Sequence, residues 1–217
     1  MFRAQAAALT EGFDLIVPDL PGHGVAPPGF TLERAVDQVR DLLAESDRPA
    51  HLVGVSMSAT IALLVALSDP AKVKSLLLSG ATIRPSRTAV NIQRGVTAVL
   101  PIRVSAQLSA KIVAPADVRD REALKSDIMR AGKKTQLKVL RELVNTDLAS
   151  RIARVNVPTL VCCGARDTVN LPSAQLISRS IPGATLNVVP DGGHLWNLQH
   201  PDQFTKTIAE FVSAHES

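Results

Sequence analysis

The feature of this sequence that most constrains its fold is an alternation of short apolar runs with segments of helical periodicity. The apolar runs lie at 13–17, 51–55, 73–79, 158–163 and 185–189, and each is predicted to be a strand. Around them, apolar residues recur at helical spacing, which predicts helices at 1–10, 58–67, 172–180 and 202–214 and one capped by Thr31. Repeated strand–helix units predict an α/β fold, a mostly parallel sheet with helices on both faces.

One segment interrupts this alternation. From Ala81 to about Thr146 the sequence has long basic amphipathic stretches punctuated by three prolines, which predicts a helical cap at 81–146 inserted into a core of 1–80 and 147–217. Residues 81–151 contain 14 Lys+Arg and 6 Asp+Glu, a balance of +8, whereas the rest of the chain has −4. Solvated helix faces explain this asymmetry, and so does attraction of an anionic substrate, carrier or surface.

Composition argues against several classes of protein. Aromatic residues make up 3% of the chain and Tyr is absent, so base stacking on nucleic acid is not favoured. No run approaches the roughly 20 apolar residues of a membrane span, and residues 1–9 lack the pattern of a secretory signal. Cys162 and Cys163 are adjacent and poorly placed to bridge, which favours reduced, buried thiols in a cytoplasmic protein. No residue spacing indicates a metal site.

The segment Gly54-Val-Ser-Met-Ser58 lies between a predicted strand and an apolar helix and is a candidate nucleophile elbow. Such a turn presents a serine hydroxyl, here that of Ser56, on a strained backbone. Small residues on either side let the strand and the helix approach closely, although Ser58 replaces the more usual second glycine. The amide of Met57, at the start of the helix, is a candidate donor to a developing oxyanion.

A serine nucleophile needs a base, and the base needs an orienting acid. Asp167 follows one predicted strand and His194 follows the next, so Ser56, Asp167 and His194 are expected at the same edge of the sheet. Asp191 is an alternative for the acid. Trp196 closely follows the base and is a candidate for lining a substrate pocket, with packing beneath the cap as the alternative.

These motifs resemble those of the α/β-hydrolase superfamily, in its cap-bearing esterase, C–C hydrolase and enol-lactonase branch. The matching segments are 19–24, 54–58, 157–161, 164–167 and 193–194, together with Pro172 and Pro201. The resemblance implies that Ser56 is the nucleophile, Asp167 the acid and His194 the base, and that the reaction needs no metal or organic cofactor. His23, in the Gly-His-Gly loop, is implied to form a turn.

The resemblance also implies three strands before Phe2 and a His-Gly loop that supplies a second oxyanion donor. One of these strands would lie between 13–17 and 51–55, so its absence would leave a gap inside the sheet. The flanking strands could close together, another chain could fill the gap, or the sequence could be an incomplete version of a longer protein. We favour the last interpretation, with Met1 as a displaced start.

The resulting functional hypothesis is a serine hydrolase acting on an ester, thioester, lactone or related carbonyl substrate through an acyl-enzyme. The basic cap favours a small acyl substrate bearing a carboxylate or phosphate. Two alternatives stay open, a non-catalytic binding protein on the same fold and C–C bond hydrolysis or perhydrolysis by the same triad. Loss of an oxyanion donor would cost roughly 10²–10³ in rate. An open sheet interior also favours a homo-oligomer.

Overall fold

The computed structural model describes residues 1–216, so Ser217, the last residue of the predicted core, lies outside the described residues. Four strands form one parallel sheet in the order β1-β2-β3-β4 within that range: β1 Ala50–Val55, β2 Val73–Ser79, β3 Thr159–Gly164 and β4 Thr185–Val189. In register, Val53 pairs with Leu77, Leu78 with Val161, and Cys163 with Val188. The prediction of an α/β fold with a parallel sheet is confirmed.

Helices connect and flank these strands close to the predicted positions. They are α1 Arg3–Leu9, α2 Leu32–Ala44, α3 Met57–Ser68, α4 Arg87–Val99, α5 Ile102–Val113, α6 Val118–Val144, α7 Leu171–Ser180, α8 Trp196–Gln199 and α9 Pro201–Ser213. Short 3₁₀ turns precede β2 and β3. Thr31 caps α2 as expected, because its hydroxyl accepts a hydrogen bond from the amide of Arg34 at 3.1 Å.

The hydrophobic core lies on both faces of the sheet. Along β2, Leu76 and Leu78 pack into a cluster with α2, α3 and α7, whereas Leu77 packs into a cluster with α1 and α9. This alternation follows from the two-residue period of a strand. The sheet is therefore covered on both sides, and the loops at the carboxyl ends of its strands are free to carry functional side chains.

The prediction of a strand at 13–17 is wrong. Residues 14–20 run without regular secondary structure, and Leu15, Ile16 and Val17 are 37%, 64% and 54% exposed. A strand requires a ladder partner, and within residues 1–216 β1 pairs with β2 alone. The two flanking segments therefore do not close together, and β1 is one edge of the described sheet.

Helices α4, α5 and α6 occupy the stretch between β2 and β3. Helix α6 is interrupted at Gly132, whose φ of 74° and ψ of 164° are not helical. Both α4 and α5 pack against α6, and Lys133 donates a hydrogen bond to the carbonyl of Ala98 at the end of α4. Within residues 1–216, no helix combines the length and the apolar character needed to cross a membrane.

Candidate active site

Ser56 lies at the sharp turn from β1 into α3. Its φ of 57° and ψ of −116° place a residue with a side chain in a left-handed backbone region. This conformation costs free energy and persists only where the surrounding structure enforces it. The amide of Ser56 is held by the carbonyl of Ser79 at 2.8 Å. A Cβ on Gly54 would lie 2.5 Å from the backbone of Ala59, so only glycine fits there.

Ser58 takes the place of the usual second glycine of the turn without opening it. Its hydroxyl accepts a hydrogen bond from the amide of Val55 at 2.8 Å and donates to the carbonyl of the same residue at 2.9 Å. The side chain thus pairs the last backbone groups of β1. Met57 is the first residue of α3, so its amide has no acceptor within the helix and lies at the positive end of the helix dipole.

The structure brings Ser56, His194 and Asp167 together from three separate loops. Nε2 of His194 lies 2.8 Å from Oγ of Ser56, and Nδ1 lies 2.7 Å from Oδ2 of Asp167. Both distances are those of good hydrogen bonds. The carboxylate side chain is 5% exposed and the imidazole 38% exposed, so the carboxylate is sheltered while the imidazole is open to solvent.

Asp167 and His194 meet because the loops after β3 and β4 pack closely. A Cβ on Gly164 would collide with the carbonyl oxygen of Gly192, which shows how near the two backbones come. Burial raises the pKa of Asp167, but hydrogen bonds from His194 and Asn170 outweigh it and leave the pKa below its ordinary value. The carboxylate is therefore ionised at neutral pH and accepts the Nδ1–H of His194.

Two residues that the sequence reasoning missed also contact this arrangement. Asn170 donates from Nδ2 to both carboxylate oxygens of Asp167, at 2.8 and 2.9 Å. Gly80 follows β2 with a φ of 59°, and a Cβ there would lie 3.0 Å from Nδ1 of His194. A glycine at the end of a predicted strand was the available signal for Gly80, whereas Asn170 has the ordinary sequence signature of a helix cap.

Two further candidates from the sequence, Asp191 and Trp196, make other contacts. Asp191 accepts a hydrogen bond from Arg166 at 2.8 Å and its side chain is 74% exposed, so it does not hold His194. The pocket-lining role expected for Trp196 does not fit its position. Its side chain is 1% exposed and packs edge-on against Phe204, with ring centroids 4.6 Å apart. Its Nε1 donates a hydrogen bond to the hydroxyl of Ser79, so the indole is part of the core beneath the sheet.

The two cysteines are free and buried. Burial raises the pKa of Cys162 to about 12. Burial, with a smaller contribution from the charge of Asp167, raises that of Cys163 to about 12 as well. Both thiols are therefore protonated at neutral pH and poor nucleophiles. Among residues 1–216, no three His, Cys, Asp or Glu side chains are grouped so that they could hold a metal ion.

Gln199 links the loop that carries His194 to the helices inserted between β2 and β3. Its Oε1 accepts a hydrogen bond from the amide of Gly193 at 2.6 Å, and its Nε2 donates to the carbonyl of Val113 at 2.7 Å. A second bond joins the same elements, from the amide of Ala116 to the carbonyl of Leu198. The end of α5 is thus tied to the residue that precedes the imidazole.

Comparison with known proteins places this arrangement in a family. A model of the alpha/beta hydrolase family matches residues 1–207. The chain is 28% identical to a pimeloyl-[acyl-carrier protein] methyl ester esterase from Chromobacterium violaceum, over 98% of this chain and 89% of the relative. It is 26% identical to 3-oxoadipate enol-lactonase 1 from Acinetobacter baylyi, over 99% of this chain and 84% of the relative.

The fold is also found among solved structures. The crystal structure of a hydrolase from Pseudomonas aeruginosa PA01 superposes with a TM-score of 0.84 at 28% identity, covering 97% of this chain and 84% of that one. The family match extends over both the elbow and the loops that carry Asp167 and His194. The chain therefore belongs to the alpha/beta hydrolase family.

Proposed function

We propose that this protein is a serine hydrolase that cleaves an ester, thioester, lactone or related carbonyl compound. The observation that carries the proposal is the continuous hydrogen-bonded chain from Oγ of Ser56 through the imidazole of His194 to Asp167. Such a chain activates a hydroxyl that is otherwise a weak nucleophile. The names of the curated relatives, a methyl ester esterase and an enol-lactonase, agree with this reaction class.

The proposed reaction has two halves. Asp167 keeps the proton of His194 on Nδ1, so Nε2 accepts the proton of Ser56 as Oγ attacks the substrate carbonyl. The amide of Met57 stabilises the oxyanion, and His194 then protonates the leaving group to give the acyl-enzyme. Water, deprotonated by the same imidazole, attacks the acyl carbonyl, and the bond between that carbonyl and Oγ of Ser56 breaks as His194 returns the proton to Oγ, which releases the acid product. The reaction needs no cofactor.

We further propose that residues 81–146 form a cap over the site and that the substrate is a small acyl compound bearing a carboxylate or phosphate. Residues 81–116 include five Lys and Arg residues and no Asp or Glu. This positive segment favours anionic substrates through its electrostatic field, which acts on encounter more than on the chemical step. The effect on kcat/KM should weaken as salt screens the field.

Two further expectations concern the protein in solution. The buried, protonated thiols of Cys162 and Cys163 agree with a reducing compartment, and we propose a cytoplasmic location. We also propose self-association through β1, because an edge strand with unpaired backbone groups is a template for pairing. Residues 15–17, outside the sheet, also present exposed apolar side chains.

Fluorophosphonate labelling tests the proposed function directly. Wild-type protein should gain one label by intact mass, and Ser56→Ala should gain none while keeping its thermal unfolding temperature. Turnover of p-nitrophenyl acetate, measured alongside, should disappear in the same variant. A folded wild-type protein that takes no label would contradict the proposal and support a non-catalytic binding role. Labelling without ester turnover would instead favour C–C hydrolysis or perhydrolysis at the same serine.

A further inference from the structure

Asn170 occupies the N-cap position of α7 but does not cap that helix. An asparagine at this position normally accepts a hydrogen bond from an amide of the first turn, which stabilises a helix by about 1 kcal/mol. The side chain of Asn170 makes no such bond. Its amide group turns instead towards Asp167, so the usual structural role of an N-cap asparagine does not explain its position.

The contact between Asn170 and Asp167 is bidentate. Nδ2 lies 2.8 Å from Oδ1 and 2.9 Å from Oδ2, so one amide group donates to both carboxylate oxygens. The backbone amide of Asn170 also donates to Oδ1, at 3.3 Å. Oδ2 is the oxygen that accepts Nδ1–H of His194 at 2.7 Å. The carboxylate is thus held from one side by Asn170 while it holds the base from the other.

Asn170 also touches the base itself. Nδ2 lies 3.1 Å from Nδ1 of His194, but Nδ1 already donates its proton to Asp167, so two donors face each other and form no hydrogen bond. The positive end of the amide dipole therefore lies beside the imidazole. This positive end disfavours the positive charge that the ring acquires during catalysis. The hydrogen bonds from Asn170 to Asp167 also use part of the negative charge that would otherwise stabilise the charged ring.

We propose that Asn170 is a positioning residue that orients the Asp167 carboxylate towards His194 and shares its charge. The inference rests on the proposed function, since it assigns a partner to the acid of the same triad. Two effects follow from it. The fixed carboxylate holds the imidazole in line with Ser56, and the bonds from Asn170 divide the negative charge of Asp167 between the amide and the ring.

The test replaces Asn170 by an apolar side chain of the same shape. Asn170→Leu fills the same space but donates no side-chain hydrogen bond, and Asn170→Ala serves as a second variant should the leucine fail to fold. Thr168→Val, an exposed substitution in the same loop, is the matched control. Two quantities are measured for each folded protein: the pH titration of the His194 ring by ¹⁵N NMR, and the rate of fluorophosphonate labelling against pH.

In Asn170→Leu the titration midpoint of the His194 ring should rise, because the undivided charge of Asp167 then stabilises the imidazolium. The plateau rate of labelling should fall roughly tenfold to a hundredfold, the scale of a misplaced catalytic group. Thr168→Val should match the wild type in both measurements. A midpoint that stays in place or falls in both Asn170 variants would overturn the inference.

The NMR titration needs no activity, so the two proposals fail separately. A wild-type protein that takes no label would remove the proposed function, while the position of the His194 midpoint would still decide the role of Asn170. A protein that is labelled at Ser56 but whose Asn170 variants titrate as the wild type does would leave the hydrolase and remove the positioning role.

Discussion

Gly80 lies so close to His194 and Asp167 that it leaves no room for a side chain. An added Cβ would lie 3.0 Å from Nδ1 of His194 and 3.6 Å from Oδ2 of Asp167. We expect Gly80→Ala to displace the imidazole, because close-packed atoms at such a distance must move apart. The kcat for p-nitrophenyl acetate should fall roughly a hundredfold, as expected for a catalytic group moved by about 1 Å.

Gly183→Ala is the matched control for this substitution. Gly183 has a φ of 74°, so alanine there carries a similar backbone penalty of about 1–2 kcal/mol, yet nothing lies within 4 Å of the added Cβ. Urea unfolding should show comparable losses of stability in both variants, with kcat lost only in Gly80→Ala. Unchanged kcat in Gly80→Ala, or equal losses of kcat in both, would mean that the triad does not depend on this contact.

The three residues of the hydrogen-bonded chain could be predicted from sequence because each lies at the end of an apolar run. Parallel strands bring their carboxyl ends to one edge, so Ser56, Asp167 and His194 had to lie near one another. The contacts of Asn170 and Gly80 could not be predicted, since they depend on how the side chains in the loop of Asp167 are oriented and on how closely the loops after β2 and β4 approach each other. Proximity to His194 in the sequence makes Trp196 a candidate either for lining a pocket or for packing beneath the cap, and the structure places its indole in the core.

At the scale of elements, α8 couples the loop of His194 to the end of α5 through Gln199. Replacing Gln199 by Glu keeps an acceptor for the amide of Gly193 but sets an oxygen against the carbonyl of Val113. Each lost bond is worth about 0.5–1.5 kcal/mol, which corresponds to roughly two- to tenfold faster hydrogen exchange. We expect the amides of Ala114, Ala116 and Asp117 to exchange faster in Gln199→Glu, with the Gly193 amide still protected.

Gln199→Leu removes both bonds and should expose both ends of this connection. The Gly193 amide should then exchange faster as well, and the turnover of p-nitrophenyl acetate should fall because the His194 loop is less fixed. Protection of residues 114–117 that is unaffected by either substitution would show that the bond from Ala116 to Leu198 suffices to hold the two elements together.

Most elements could be predicted from periodicity, and the exception has a physical cause. The runs that became β1 to β4 each have a neighbour in the ladder, so local preference and tertiary pairing agree. The run at 13–17 has the same apolar character but no partner strand within residues 1–216, and its backbone stays outside the sheet. Strand formation depends on pairing with a neighbour, which a single sequence does not reveal.

For the whole molecule, the unpaired edge of the sheet is the feature with the largest consequence. Edge strands are usually blocked by charged residues or proline, yet β1, with the sequence AHLVGV, has no Lys, Arg, Asp, Glu or Pro. Ile16 and Val17, 64% and 54% exposed, lie in the apolar segment expected to border this edge. A two-fold contact would set β1 of one copy against β1 of another, in antiparallel pairing.

We therefore expect the wild-type protein to elute above its monomer mass in light-scattering chromatography, increasingly so as its concentration rises. Ile16→Lys should shift it towards the monomer, because a buried ammonium at the contact is costly. Ile112→Lys, on α5 and similarly exposed at 71%, is the control and should leave the association unchanged. If Ile112→Lys shifts the protein towards the monomer and Ile16→Lys does not, the contact lies on the inserted helices. A wild-type protein that is monomeric at every concentration would show that the β1 edges of two copies do not pair.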